Sequence, residues 1–104
     1  MAFNVKGRLT LKNVVIEATG YTGYNSGMDA KVDGSSAVLI LQEGVTIQKF
    51  THRDNAIVSL VNGASLTMEE GSKICNNKTY KNGGGVYITN GTFTMNGGII
   101  SGND

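Results

Sequence analysis

The fold of this chain is decided by the stretch Leu39-Ile-Leu-Gln-Glu-Gly-Val-Thr-Ile47, which aligns without a gap with Leu66-Thr-Met-Glu-Glu-Gly-Ser-Lys-Ile74. Each of these two stretches begins with an apolar-x-apolar triplet, at Leu39 and at Leu66. Related triplets begin at Leu9 and at Phe93. The four triplets therefore start 30, 27 and 27 residues apart. Such a regular period predicts a repeat architecture in which each repeat stacks on the next.

Each repeat contains about three short segments with the pattern of β-strands. Polar and glycine residues follow each triplet and lead into a second apolar segment, such as Val45-Thr-Ile47. A third segment precedes the triplet in later repeats, as in Ile57-Val-Ser-Leu-Val61 and Val86-Tyr-Ile88, and more weakly at Ala30-Lys-Val32. Apolar residues alternate with period two, and no segment sustains the period of 3.6 that a helix requires.

These features predict an all-β fold, a right-handed parallel β-helix (solenoid) of about four coils with roughly 27 residues and three short strands per coil. The coils are expected at about 1–30, 31–55, 56–82 and 83–104. They form a single β-helix segment, 1–104, which we expect to belong to a longer repeat protein. Equivalent residues of successive coils would lie one strand spacing apart, which predicts two interior ladders. They are Leu9/Leu39/Leu66/Phe93 and Leu11/Leu41/Met68/Met95.

An antiparallel sandwich or barrel is the main competing fold. Four Asn-Gly pairs, the first at Asn62-Gly63, could close hairpins. Hairpins do not require a 27-residue repeat, however, and the same residue classes recur at the same phase of that repeat. A leucine-rich repeat is third, because its Leu-x-x-Leu-x-Leu signature is absent.

Composition narrows the function classes. The 104 residues carry a formal net charge of +1 without a run of like charge, so the sequence shows no basic patch of the kind that binds nucleic acid. No apolar run is long enough to insert into a membrane. The single cysteine, Cys75, excludes an internal disulfide.

One segment carries a family resemblance. The sequence Gly83-Gly-Gly-Val-Tyr-Ile-Thr-Asn-Gly-Thr-Phe-Thr-Met-Asn-Gly-Gly-Ile-Ile-Ser-Gly-Asn103 resembles a unit found in arrays within large bacterial surface and secreted proteins, which are similar in fold to pectate lyases. The strong match covers about the last quarter of the chain. The resemblance implies a secreted or cell-surface scaffold used in adhesion or glycan contact, and it transfers no catalytic motif.

One polar cluster is a candidate metal site. Glu43 and Glu70 fall at equivalent repeat positions, so stacking would bring their carboxylates close enough to share Ca²⁺. Against this, calcium takes six to eight oxygen ligands, and stacked surface carboxylates usually remain solvated. We favour the solvated alternative and expect no other cofactor.

Loops carry function on solenoids, so the candidate contact residues lie in the long loop from Thr19 to Lys31 and in the loop from Asn76 to Asn82. These residues are Tyr21, Tyr24, Asn76, Asn77 and Tyr80. No set of acids converges at one phase of the repeat, and no catalytic residue is assigned.

The function expected is therefore that of a non-enzymatic spacer and interaction surface. The alternative is a fragment of a carbohydrate-active domain, a polysaccharide lyase or glycoside hydrolase. Glycans and host or surface proteins are the expected external partners. Open coil ends would also favour end-to-end stacking of the chain on itself.

Overall fold

The computed structural model describes residues 4–17, 30–52, 58–79 and 85–103, and the regular structure within them is β-strand. The strands form four groups, which we call units 1 to 4. Unit 1 contains β1 (Asn4–Val5), β2 (Arg8–Leu11) and β3 (Val15–Glu17), and unit 2 contains β4 (Ala30–Asp33), β5 (Val38–Leu41), β6 (Thr46–Gln48) and β7 (Thr51–His52). Unit 3 contains β8 (Val58–Val61), β9 (Ala64–Met68), β10 (Lys73–Cys75) and β11 (Lys78–Thr79), and unit 4 contains β12 (Val86–Ile88), β13 (Gly91–Met95) and β14 (Ile99–Ser101).

Each unit contributes one strand to each of three parallel four-stranded sheets. Sheet I has the order β1-β4-β8-β12, sheet II the order β2-β5-β9-β13 and sheet III the order β3-β6-β10-β14. A smaller parallel pair joins β7 to β11. The units therefore stack in chain order, an arrangement compatible with a β-helix-like solenoid.

The register of sheet II confirms the predicted ladders. Leu39 pairs with Leu66 and Leu66 pairs with Phe93, each partner lying 27 positions further along the chain. Leu41, Met68 and Met95 pair in the same way. Because the pairing is parallel, the antiparallel alternative is wrong for these strands.

The core lies between the three sheets. Residues in β9 alternate between buried and half-buried, and Ala64, Leu66 and Met68 point inward. Sheet I adds Leu60 and sheet III adds Ile74, both with no exposed area. Removing side chains of this size from water stabilises the fold by about 1.5–3 kcal/mol each.

Asparagine and glycine form the corners for two different reasons. Asn62 and Asn76 both have a φ of 56°, a left-handed conformation that asparagine tolerates better than most residues. Gly91 is needed instead for close approach, because a Cβ there would lie 2.5 Å from the carbonyl oxygen of Ala64.

The structure adds two elements that the pattern did not predict. Asn4–Val5 forms a sheet I strand in unit 1, where only the later repeats were expected to have one. Thr51–His52 pairs with Lys78–Thr79 beyond sheet III. Within the described ranges, no helix is long and apolar enough to cross a membrane.

Candidate functional site

The stacked glutamates lie in an open groove at the corner between sheets II and III. This groove, which we call the acidic groove, has a volume of about 310 Å³. It is lined by Lys12, Gln42, Glu43, Glu69 and Glu70. Both predicted metal candidates, Glu43 and Glu70, therefore line the same surface feature.

Two equal turns place these glutamates above one another. The Val45 amide donates to the Gln42 carbonyl over 3.3 Å, and the Ser72 amide donates to the Glu69 carbonyl over 3.2 Å. Gly71 has a φ of 86°, and a Cβ at this position would lie 3.1 Å from the Glu43 Cα. Glycine at this position therefore suits both the left-handed backbone and the close contact between the two turns.

The electrostatics of the acidic groove are those of a solvated surface. Lys12 Nζ lies 3.4 Å from Glu43 Oε1, with the two side chains 54% and 67% exposed. An exposed pair of this kind contributes about 0–1 kcal/mol. Among the described residues, no three His, Cys, Asp or Glu side chains are grouped so that they could hold a metal ion.

A more tightly organised polar cluster surrounds Asp33, at the corner between sheets I and II. Asn62 Nδ2 donates to Asp33 Oδ1 over 2.7 Å, while Lys6 Nζ and Lys31 Nζ lie 3.5 and 4.0 Å from Oδ2. The hydrogen bond from Asn62, followed by the attraction of the two lysines, lowers the pKa of Asp33 below its ordinary value. This cluster links units 1, 2 and 3.

Asn77 lies inside the stack, although its sequence context suggested a contact loop. Its side chain is 2% exposed; its Oδ1 accepts from the Phe50 amide over 3.1 Å and its Nδ2 donates to the Ile47 carbonyl over 3.1 Å. It also donates to Asn103 Oδ1 over 3.0 Å. Asn77 therefore holds neighbouring units together through a buried side-chain amide.

Unit 4 contains a second asparagine side chain, Asn103, that makes the same kind of interior hydrogen bond. Asn103 Nδ2 donates to the Ile74 carbonyl over 3.0 Å, as Asn77 does to Ile47 one unit earlier. The matching phase of Ile74-Cys-Asn-Asn77 and Ile100-Ser-Gly-Asn103 was the signal that could have revealed this ladder.

The remaining predicted contact residues divide in two. Asn76 has the left-handed corner conformation beside Asn77. Tyr21, Tyr24 and Tyr80 lie outside the described residues. Tyr87, in the predicted strand segment Val86-Tyr-Ile88, is on β12 and is 43% exposed.

Hydroxyl groups cover part of the outer surface of sheet II. Thr67 pairs with Thr94, and Ser65 pairs with Thr92, all at positions that alternate with the inward ladders. We call these four residues the hydroxyl face. Partners along a strand are about 6.8 Å apart and partners across strands about 4.8 Å apart, so the face is a small grid of donors and acceptors. No charged side chain belongs to it.

No family model matches the chain, and neither a curated protein nor a solved structure matches it. The resemblance of residues 83–103 to surface repeat units therefore stays a prediction.

Proposed function

We propose that the chain is a right-handed parallel β-helix of about four coils that serves as a non-enzymatic spacer and interaction surface of a secreted or cell-surface protein. Three sheets with one strand per unit support the coil arrangement. Right-handedness follows from the strong preference of parallel crossover connections for that hand. Location outside the cell rests on the resemblance of Gly83–Asn103 to surface repeats.

The observation that carries the spacer role is the unbroken register of the ladders. Each unit pairs with the next over two to five consecutive residues in each of the three sheets. A stack of this kind can be lengthened by adding units, and each unit contacts only its neighbours. A column so built keeps its outer faces in fixed geometry.

The hydroxyl face is the interaction surface that we propose. Thr67 and Thr94 present hydroxyls that both donate and accept hydrogen bonds, as the hydroxyls of a sugar chain do. Because the face is uncharged, it favours a neutral polysaccharide over an acidic one. The rigid backbone beneath it lowers the ordering cost of binding.

Binding of the wild-type chain to a panel of neutral and acidic polysaccharides, measured by titration calorimetry, tests this proposal. Replacing both Thr67 and Thr94 by valine keeps the branched shape and removes two hydroxyls. Affinity for a neutral polysaccharide should fall about tenfold or more, since each lost hydrogen bond contributes about 1 kcal/mol. Thr46→Val on the outer side of sheet III is the matched control and should leave affinity unchanged.

The same polysaccharide panel tests the competing function, that of a carbohydrate-active enzyme. The acidic groove brings Glu43, Glu69 and Glu70 to one place, and acids of this kind carry out glycoside chemistry when correctly spaced. Cleavage of any polysaccharide, with or without Ca²⁺, that is lost in Glu70→Gln would overturn the non-enzymatic proposal. Binding without cleavage, lost in the double valine variant, would support it.

A further inference from the structure

Three asparagine-glycine pairs lie among the described residues and share one possible chemistry. They are Asn62-Gly63, Asn90-Gly91 and Asn96-Gly97, while Asn82-Gly83 lies outside the described residues. The Cγ of such an asparagine can be attacked by the backbone nitrogen of the glycine that follows, which has no Cβ to obstruct the approach. The attack requires the peptide between the two residues to lose its amide proton and to rotate toward Cγ. A hydrogen bond that holds this peptide in place therefore slows the reaction.

One hydrogen bond restrains the first two pairs. The Gly63 amide donates to the Asn90 carbonyl over 2.9 Å, so it joins the peptide that follows Asn62 to the peptide that follows Asn90. The side chain of Asn62 is held a second time, because its Nδ2 donates to Asp33 Oδ1 over 2.7 Å. Rotation of either peptide would break at least one of these bonds.

The third peptide, between Asn96 and Gly97, lacks this restraint. Within the described ranges, neither the Gly97 amide nor the Asn96 carbonyl takes part in a backbone hydrogen bond. Asn96 is exposed, and its own amide donates to the Met68 carbonyl over 2.9 Å. The residue is therefore held by the peptide that precedes it, and no hydrogen bond opposes rotation of the peptide that follows it.

The difference comes from the length of the corner between sheets II and III. In units 2 and 3 this corner has four residues, Gln42-Glu-Gly-Val45 and Glu69-Glu-Gly-Ser72. The amide of the last residue donates to the carbonyl of the first, over 3.3 and 3.2 Å. In unit 4 the corner has three residues, Asn96-Gly-Gly98, and the residue that would make this bond is missing.

The restraint is therefore missing for a reason inside unit 4 and not because of what lies beyond it. The bonds that close the corners of units 2 and 3 join residues of the same unit. The Glu70 amide, at the position of Gly97, donates to no described backbone group although units lie on both sides of it. Gln42 and Glu69, at the position of Asn96, stay half-buried within the stack, so this position keeps contact with water there.

We propose that Asn96 is a modification site at which the chain converts a side-chain amide into a carboxylate. The Gly97 nitrogen forms a bond to Asn96 Cγ, the bond from Cγ to Nδ2 breaks, and ammonia leaves with the proton that the Gly97 nitrogen gives up. Water then opens the cyclic succinimide at one of its two carbonyls. The product is an aspartyl or an isoaspartyl linkage to Gly97, and water is the only co-reactant.

The product changes the charge of unit 4. Residues 85–103 contain no charged side chain, so the new carboxylate is the first in this unit. Because Met95 pairs with Met68, Asn96 lies about one strand spacing from Glu69, which lines the acidic groove. The modification therefore extends the acidic groove onto unit 4.

Peptide mapping by mass spectrometry measures the conversion at each asparagine after the folded 104-residue chain is aged in mildly alkaline buffer. Asn96 should convert about fivefold faster than Asn62 and Asn90, or more, since each of these must first lose a hydrogen bond. In guanidinium chloride the three should convert at similar rates, because the restraints are gone and glycine follows each of them. Conversion of Asn62 or Asn90 as fast as Asn96 in the folded chain would overturn the proposal.

An insertion tests the role of the short corner. One serine placed between Gly98 and Ile99 gives unit 4 the corner of unit 3 with its closing bond. Conversion of Asn96 should then slow about fivefold, while the rates at Asn62 and Asn90 stay those of the wild-type chain. An unchanged rate at Asn96 in a variant that keeps its strands by circular dichroism would overturn the role of the corner.

Gly97→Ala is not a substitute for the insertion, because a Cβ there would lie 2.8 Å from the Glu70 Cα and disturb the stack itself. Where the insertion variant loses its strands, the folded and denatured wild-type chains still decide the proposal. Because no glycan takes part, failure here leaves the polysaccharide test of the proposed function unaffected.

Discussion

The two middle units and the two outer units share one inward pattern and differ in how well they bury it. Leu39 and Leu66 have no exposed area, while Leu9 and Phe93, at the same phase of the repeat, are only partly buried. The sequence of a unit therefore specifies its shape, but its neighbours supply its burial. Stability should fall from the middle of the stack toward its ends, as expected when each repeat contacts only adjacent repeats.

The largest effect is expected from truncating one ladder residue in a middle unit and one in an outer unit. Leu66→Ala deletes a fully buried side chain with units on both sides and should cost about 2–5 kcal/mol of unfolding free energy. Phe93→Ala removes a larger side chain that is only partly buried, and it should cost less than Leu66→Ala. Urea unfolding followed by circular dichroism gives both values, and equal losses would contradict the gradient.

The interior asparagines provide the next comparison. Asn77→Ala removes a buried amide, and the Phe50 amide and the Ile47 carbonyl lose their hydrogen bonds to it. The expected loss of unfolding free energy is about 1–3 kcal/mol. Asn103→Ala removes the same group from unit 4, where the residue is partly exposed and water can take its place. A lower urea midpoint for Asn103→Ala than for Asn77→Ala would contradict the larger structural contribution expected of the buried Asn77.

The ladders could be predicted from the sequence because two periods coincide there. Side chains alternate with period two along each strand, and residues such as Leu39 and Leu66 recur after 27 positions, so face and partner are both specified. The acidic groove followed from the same logic, since Glu43 and Glu70 share a phase.

Other features depended on contacts that periodicity does not report. Asn77 resembles a loop residue in the sequence, and only the packed interior shows that its amide is buried and fully bonded. The hydrogen bond between Asp33 and Asn62 joins residues that are 29 positions apart in the sequence. It depends on the backbone φ values at this corner, which the residue classes do not specify. The strand at Asn4–Val5 is too short to show alternation.

Two corner glycines compare middle unit 3 with outer unit 1. Gly71→Ala places a Cβ 3.1 Å from the Glu43 Cα at a φ of 86°, so a loss of about 1–2 kcal/mol is expected from the left-handed backbone alone. Gly7→Ala in unit 1 meets nothing within 4 Å, and it should be neutral or slightly stabilising. Thermal unfolding of the two variants measures the difference, and a destabilised Gly7→Ala with an unchanged Gly71→Ala would reverse the comparison.

The smallest effect concerns the join between outer unit 1 and the middle units, where Asp33 accepts from Asn62 and lies near Lys6. The pKa of Asp33 is lower in the folded chain than its ordinary value of 3.8, so the folded state prefers the carboxylate. Its contribution to stability is therefore present above pH 3.8 and is lost as the pH falls through the lower folded value. NMR titration of the Asp33 carboxyl should show this low value in the wild-type chain.

Two variants separate the causes of that shift. Asn62→Gly keeps the left-handed backbone at φ 56° and removes the amide, so the pKa of Asp33 should move up toward its ordinary value. Lys6→Met should move it less, because the Lys6 side chain is 68% exposed and its Nζ lies 3.5 Å away, where water screens the attraction. A larger shift in Lys6→Met than in Asn62→Gly would mean that charge, rather than the hydrogen bond between units 2 and 3, holds this corner of the stack.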